Sequence, residues 1–391
     1  MRSESSRRLG EAVAFSAFYV AFYLCRYGVL PMAPLMAHEW GVGYGELGAS
    51  ISLMYAGYLA SLVAAGLVVP ALGPARALAL SSSLTAAVNA ALALARGRCL
   101  PQLLLVNGLA QGLAWPSLTQ LAASRKGRAY YLVGSMLTAA ALAPTLVFGA
   151  ASAFMKFADW PLFFPASAAL MAAAALLFLP THARACASGS RAGWRGARDA
   201  LRSLDVWMLG LAYFSCYALV RGLLSWLPSL LVELEGMAPP SAAAACGLVS
   251  AAMAASEVVG AIVARRAASP WALITASFAL SLAALTAGAA LGPSPALVAL
   301  CLVALSLSEW MYFATPAEAL PQSAVPAASG LVDALGYLGG SVATWLLSAS
   351  VTLGYGYLLA VASAFSGLGL ALSLTRLWLA RAPALKLRRG A

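Results

Sequence analysis

Two arginines and three acids lie inside stretches that are otherwise apolar, and these five side chains are where chemistry could reside. Arg26 falls in Phe22-Tyr-Leu-Cys-Arg26-Tyr-Gly-Val-Leu-Pro-Met-Ala-Pro34, within an apolar run from Ala12 to about Met36. Arg221 falls in Tyr217-Ala-Leu-Val-Arg221-Gly-Leu-Leu-Ser-Trp-Leu-Pro228. A run of this length crosses a hydrocarbon core of about 30 Å, and at 1.5 Å per residue Arg26 sits about 21 Å from its start. An ionised side chain at that depth costs at least about 2.5 kcal/mol, so it must face protein, water or an anion. A guanidinium keeps its proton and offers a planar fork of parallel N–H donors, which suits a phosphate or a carboxylate. Both arginines are therefore candidate anion ligands. The alternative for Arg26 is a structural role, satisfied by backbone carbonyls at a kink near Pro31 and Pro34.

The acids Glu257, Glu309 and Asp333 all fall in the second half of the chain. A carboxyl at such depth can couple to protons or act as counter-ion to Arg221; alternatively it makes helix-to-helix hydrogen bonds in its protonated form. Asp333 is the first choice for coupling, because its helix face also carries Gly336 and Gly340, small residues at i, i+4 spacing that suit close helix packing. Tyr19, Tyr23, Trp115, Tyr213, Tyr217 and Trp226 lie at similar depth to the arginines, some as cavity lining and others as core. No Ser/His/Asp set, Walker loop or metal-spaced histidine pair is present, so neither an enzyme nor a bound cofactor or metal is expected. The two histidines, His38 and His182, read as loop residues, and six singly placed cysteines predict no disulfide framework.

The elements that must position these side chains are membrane helices. Hydrophobic residues make up 62% of 391 and charged residues 9%, with a mean hydropathy of +0.85, which excludes a soluble globular domain. Apolar runs fall at 12–36, 46–70, 75–95, 100–123, 129–154, 160–180, 206–232, 242–264, 270–291, 294–316, 326–350 and 354–379, twelve in all. The net charge of +11 sits in short basic clusters between runs, the pattern that orients membrane proteins, so no nucleic-acid partner is expected. Segments on the side of the N-terminus hold nineteen Lys and Arg, whereas the opposite loops hold only Arg96, Arg98 and Lys156. Both termini are therefore expected in the cytoplasm, with the chain in the plasma or inner membrane. The Arg-, Ser- and Gly-rich stretch 181–205 reads as a cytoplasmic linker between an N-terminal six-helix half, 1–180, and a C-terminal half, 206–391. The aromatic, arginine, proline order of the first run recurs in the seventh. In a parallel repeat, that places two guanidiniums toward one another at the midplane.

Several motifs in this order resemble the major facilitator superfamily and, within it, the organophosphate:phosphate antiporter family of glycerol-3-phosphate and hexose-phosphate transporter-like carriers. The fourth run, Asn107-Gly-Leu-Ala-Gln111-Gly-Leu-Ala-Trp115-Pro116, is similar to that family's N-G-x-x-Q-G-x-x-W-P. The eleventh, with Gly336-Tyr337-Leu338-Gly339-Gly340-Ser341, resembles its glycine-rich segment, and Asp159-Trp160-Pro-Leu-Phe-Phe-Pro165 adds a further match. The chain departs from the pattern in four places. Pro70 and Ala71 replace the acid and base of the loop signature between Gly66 and Gly73, Leu62 stands where the family has a lysine, and no histidine occurs between Tyr130 and Pro144. Arg221 also stands seven residues before Pro228, whereas Arg26 stands eight before Pro34.

The resemblance implies an all-α integral membrane protein, twelve transmembrane helices in two halves related by pseudo-two-fold symmetry. It implies secondary active transport of a small anionic solute, an organophosphate or phosphate, by alternating access, with Arg26, Arg221, Tyr23, Tyr217, Trp115 and Gln111 as substrate-binding residues. Partners would be the substrate, the lipid bilayer, and protons or phosphate as counter-substrate, in a monomer. Two alternatives stand beside it: a proton-coupled carrier of another organic anion, and a membrane sensor built on a carrier fold. The charge distribution predicts that a cysteine introduced at position 190 of a Cys-less protein will resist an impermeant thiol reagent in intact cells. Labelling from outside would reverse the orientation.

Overall fold

The computed structural model describes residues 2–125, 127–182, 194–264, 266, 269–292, 294–321 and 324–388, and among these all regular structure is helical. The first group of helices is α1 (Arg2–Tyr27), α2 (Val29–Trp40), α3 (Tyr44–Leu72), α4 (Pro74–Ala95), α5 (Leu100–Gln111), α6 (Ala114–Ala123), α7 (Ala129–Phe157) and α8 (Phe163–His182). They are followed by α9 (Trp194–Arg202), α10 (Leu204–Glu233), α11 (Pro239–Ala264), α12 (Pro270–Leu291), α13 (Pro295–Ser306), α14 (Met311–Ala319), α15 (Val325–Ser348), α16 (Ser350–Leu353) and α17 (Tyr355–Arg388).

Local sequence explains the starts and stops. Pro opens α4, α12 and α13 in the first turn, where a missing N–H costs nothing, and Ser269 and Ser294 cap the latter two by accepting from the N–H groups of Ala272 and Ala296. Gly41, left-handed at φ 69°, closes α2 with its N–H on the Met36 carbonyl. Eleven helical segments among the described residues are long and apolar enough to cross a bilayer. The fourth apolar run is helical too, but it is divided between α5 and α6 at Gly112–Leu113. Leucines 67, 94, 176, 177 and 248 are exposed, as expected where the surrounding solvent is lipid.

The chain divides into two compact units, Met1–Ser190 with Pro228–Ala251, and Arg191–Leu227 with Ala252–Ala391. In the first, α3 packs along α5, α4 along α8, and α1 along α7. In the second, α12 packs on α13 and α17, and α14 on α15.

Lipid tails are as apolar as leucine, so membrane helices associate through close packing of small residues. A Cβ on Gly108 of α5 would collide with the Met54 carbonyl of α3, and one on Gly112 would lie 2.7 Å from the Tyr58 carbonyl. In the second unit a Cβ on Gly339 of α15 would collide with the Phe214 carbonyl of α10. Gly336 and Gly340 serve the same contact, facing the ring of Tyr213 and the side chains of Tyr217 and Arg221.

Three placements differ from expectation. His38 is helical, in the last turn of α2, with Nε2 2.6 Å from Glu233 Oε1, which also accepts from the Tyr44 hydroxyl at 2.7 Å. His182 ends α8, stacked on Phe178. The stretch 181–205 contains α9, where Ala200 is buried and Arg198 and Arg202 are exposed. Small and apolar residues at helical spacing suffice to form it despite the Gly-rich context. Arg184, Cys186 and Arg191 of that stretch lie outside the described residues. Overpacking costs about 1–3 kcal/mol or more, so Gly108→Ala should lower the thermal unfolding midpoint in detergent by several degrees. Gly134→Ala, where a Cβ meets nothing within 4 Å, should leave it unchanged.

Candidate functional site

Arg26 sits at the end of α1, two residues before the chain breaks at Gly28 and resumes as α2. The break is tight, because a Cβ on Gly28 would run into the ring of Phe163. The Arg26 side chain is only 1% exposed. Its Nε donates to Gln111 Oε1 at 2.8 Å, Gln111 Nε2 donates to Asn107 Oδ1 at 2.8 Å, and Asn107 Nδ2 donates to the Cys25 carbonyl at 3.0 Å. The relay leaves α1 at Arg26, crosses to α5, runs down one helical turn and returns to α1. Tyr58 of α3 lays its ring 4.1 Å from the guanidinium carbon, and the rings of Tyr23 and Tyr27 lie at 5.4 and 5.8 Å. Such faces attract a cation without neutralising it.

Of the sequence-derived candidates in this unit, Gln111 touches Arg26 directly and Tyr23 shares its aromatic surround. Trp115 stands further out, 5.3 Å from Tyr19, which in turn packs against Tyr23 at 5.2 Å. Tyr19, Tyr23 and Tyr27 are spaced one helical turn apart and form a continuous aromatic ladder on one face of α1. Tyr58 and Asn107 were not singled out from the sequence. Asn107 could have been, standing at i−4 from Gln111 on the same helix face; nothing local marks Tyr58 among the tyrosines of α3.

Arg221 occupies a different environment. The seventh span continues unbroken past it, and the guanidinium is half-buried, 4.6 Å over the ring of Tyr217. Tyr217 packs on Tyr337 at 5.0 Å and Tyr213 at 5.2 Å, and Tyr213 packs on Tyr312 at 4.8 Å. All three candidate acids belong to this unit. Glu257 lies in the fields of Glu309 and Arg221, and Tyr213 in those of Glu309, Asp333 and Arg221. Trp226 is core: fully buried, with its indole N–H on the Thr344 carbonyl at 2.7 Å. No group of three or more metal-ligating side chains occurs among the described residues.

The first unit thus holds a permanent cation against amide and aromatic groups, and the second holds a cation within the field of Glu257. The first arrangement suits anion recognition and the second suits exchange of a counter-ion. A hydrogen bond to a charged group is worth about 1.5–3 kcal/mol, about ten- to a hundredfold in binding. Arg26→Lys, which keeps the charge but loses the fork and the bond to Gln111, should reduce transport by at least that range with an unchanged thermal melt. Arg221→Lys should lose less. Wild-type rates in the Arg26 variant would assign that arginine a structural role.

The sequence pattern of the Major Facilitator Superfamily matches residues 15–344. No curated protein matches the chain in sequence. Among solved structures, a POT family transporter in complex with 5-aminolevulinic acid superposes with a TM-score of 0.74 at 12% identity, over 97% of this chain and 96% of that one. A bacterial homologue of the human lysosomal transporter Spinster, in an inward-facing and occupied conformation, gives 0.73 at 12% identity, over 95% and 96%. A D-xylose-proton symporter gives 0.67 at 13% identity, over 94% and 96%. At these identities the likeness is one of fold. With the family pattern spanning both arginines, Gln111, all three acids and most of the chain, this protein belongs to the Major Facilitator Superfamily.

Proposed function

We propose that this transporter moves a small anionic solute, an organophosphate or phosphate, by alternating access, as a monomer in the cell membrane with both termini in the cytoplasm. The observation that carries this reading is the buried Arg26 guanidinium. It donates to Gln111, which is itself held by Asn107 of the Asn107-Gly-x-x-Gln111 motif, and it is faced by Tyr23, Tyr27 and Tyr58. A guanidinium cannot lose its proton, and its planar fork recognises a tetrahedral oxyanion bidentately.

A second reading has its own support. Glu257, in the fields of Glu309 and Arg221, and Asp333, whose field reaches Tyr213, suit a proton-coupled carrier of another organic anion. An anion that engages Arg221 frees a carboxylate to take up a proton. Purified protein in liposomes separates the two. Counterflow of glycerol 3-phosphate, hexose 6-phosphate or inorganic phosphate without a pH gradient is expected for the antiporter. Uptake that needs the gradient and is lost in Glu257→Gln, Glu309→Gln or Asp333→Asn would replace exchange by proton coupling. Transport of carboxylates but no phosphate ester would overturn the organophosphate assignment.

A further inference from the structure

Away from Arg26, a cavity of about 580 Å³ opens where three spans of the first unit end. Trp40 closes α2, Glu46 lies in the first turn of α3, and Leu94, Arg96 and Arg98 belong to the end of α4 and the turn into α5. The turn is built to sit against α2: Gly97 is left-handed at φ 85°, and a Cβ there would lie 2.6 Å from Val42 Cγ2 and 3.5 Å from Trp40 Cβ. Arg96 is held left-handed as well, at φ 47°. This loop is on the side that holds only three basic residues, and two of them line this one cavity.

Three formal charges therefore share a cavity, and they are not spent on the protein. Among the described residues neither the Arg96 nor the Arg98 guanidinium, nor the Glu46 carboxylate, makes an ion pair or side-chain hydrogen bond. A simple anion would satisfy the arginines and be repelled by Glu46; a simple cation would meet the reverse. A ligand carrying both signs satisfies all three. The depth identifies its source. The cavity lies at the ends of the spans Arg8–Trp40, Tyr44–Leu72 and Pro74–Ala95, the level of lipid headgroups, where tryptophan is also enriched. Leu94, 85% exposed, lines the same cavity and offers an acyl chain an apolar wall.

We propose that this cavity binds a zwitterionic phospholipid carrying a primary ammonium, with its phosphate on Arg96 and Arg98 and its ammonium on Glu46. The bidentate fork of each guanidinium recognises the phosphate oxygens. A primary ammonium donates N–H bonds to a carboxylate, whereas a quaternary one has none to give.

Native mass spectrometry of the purified full chain tests this, with phosphatidylethanolamine, phosphatidylcholine and phosphatidylglycerol titrated separately and lipid retention counted. The wild type should retain phosphatidylethanolamine over the other two. Arg96→Asn with Arg98→Gln should cut that retention about tenfold, the scale of a charge-assisted contact; asparagine is used at position 96 because it tolerates a left-handed backbone. Glu46→Gln should keep phospholipid retention but lose the preference for ethanolamine over choline, and it carries the test alone if the double variant fails to fold. Soluble phosphoethanolamine should compete only in large excess. Equal retention of the three lipids by the wild type, or an unchanged preference in both variants, would overturn the proposal. Displacement by phosphoethanolamine at equal concentration would do so too, assigning the cavity to a soluble phosphoester.

Discussion

A guanidinium that cannot be deprotonated, placed in the middle of a membrane span, is the constraint that organises the first unit. Leaving it to lipid costs at least about 2.5 kcal/mol. The protein offsets that cost in part with one bond to Gln111 and three aromatic faces, the nearest at 4.1 Å, together worth several kcal/mol on the order of their desolvated values. Gln111 is itself fixed by Asn107, and Asn107 by the Cys25 carbonyl, so the acceptor presented to Arg26 cannot rotate away. The charge is stabilised in place while remaining a charge.

That frame depends on how closely the helices approach. Gly108 and Gly112 let α5 lie against the backbone of α3 at Met54 and Tyr58. The same approach that shortens the helix distance delivers the Tyr58 ring to Arg26 and holds Asn107 and Gln111 in line with α1. A side chain larger than hydrogen at Gly108 would separate the helices and pull apart the relay and the aromatic face together. Packing and site are one construction here, because the residues that make the contact alternate along α5 with those that make the hydrogen bonds.

The second unit applies the same packing logic to a different electrostatic end. Gly339 lets α15 lie on α10 at Phe214, and Gly340 faces Tyr217 and the aliphatic part of Arg221. This brings Asp333 and Tyr337 alongside the arginine's helix. Carboxylates beside a guanidinium share its field, so occupancy of the arginine and protonation of the acids become linked quantities.

The sequence by itself determined the membrane class, the number of apolar runs and, through its ordered motifs, the superfamily, because hydrophobic length and charge placement act locally and leave their mark in any window of about twenty residues. It also picked out Arg26, Arg221 and the three acids, since an ionisable group in an apolar run is visible without any fold. Gln111 was named from the sequence as well, whereas its i−4 neighbour Asn107 was quoted only as part of a motif. What only the tertiary structure decided is which side chains meet. Tyr58 reaches Arg26 through the approach of α3 to α5, and Trp226 turns to the Thr344 carbonyl instead of a cavity. His38, read as a loop residue, proved to lie in the last turn of a helix and meet Glu233, almost two hundred positions away in sequence. The fourth span divides at Gly112, where Pro116 four residues on removes a backbone donor and α3 presses closely enough to leave room only for glycine. Each of these outcomes depends on the distance between backbones far apart in sequence, a quantity set by packing and not by composition or local pattern.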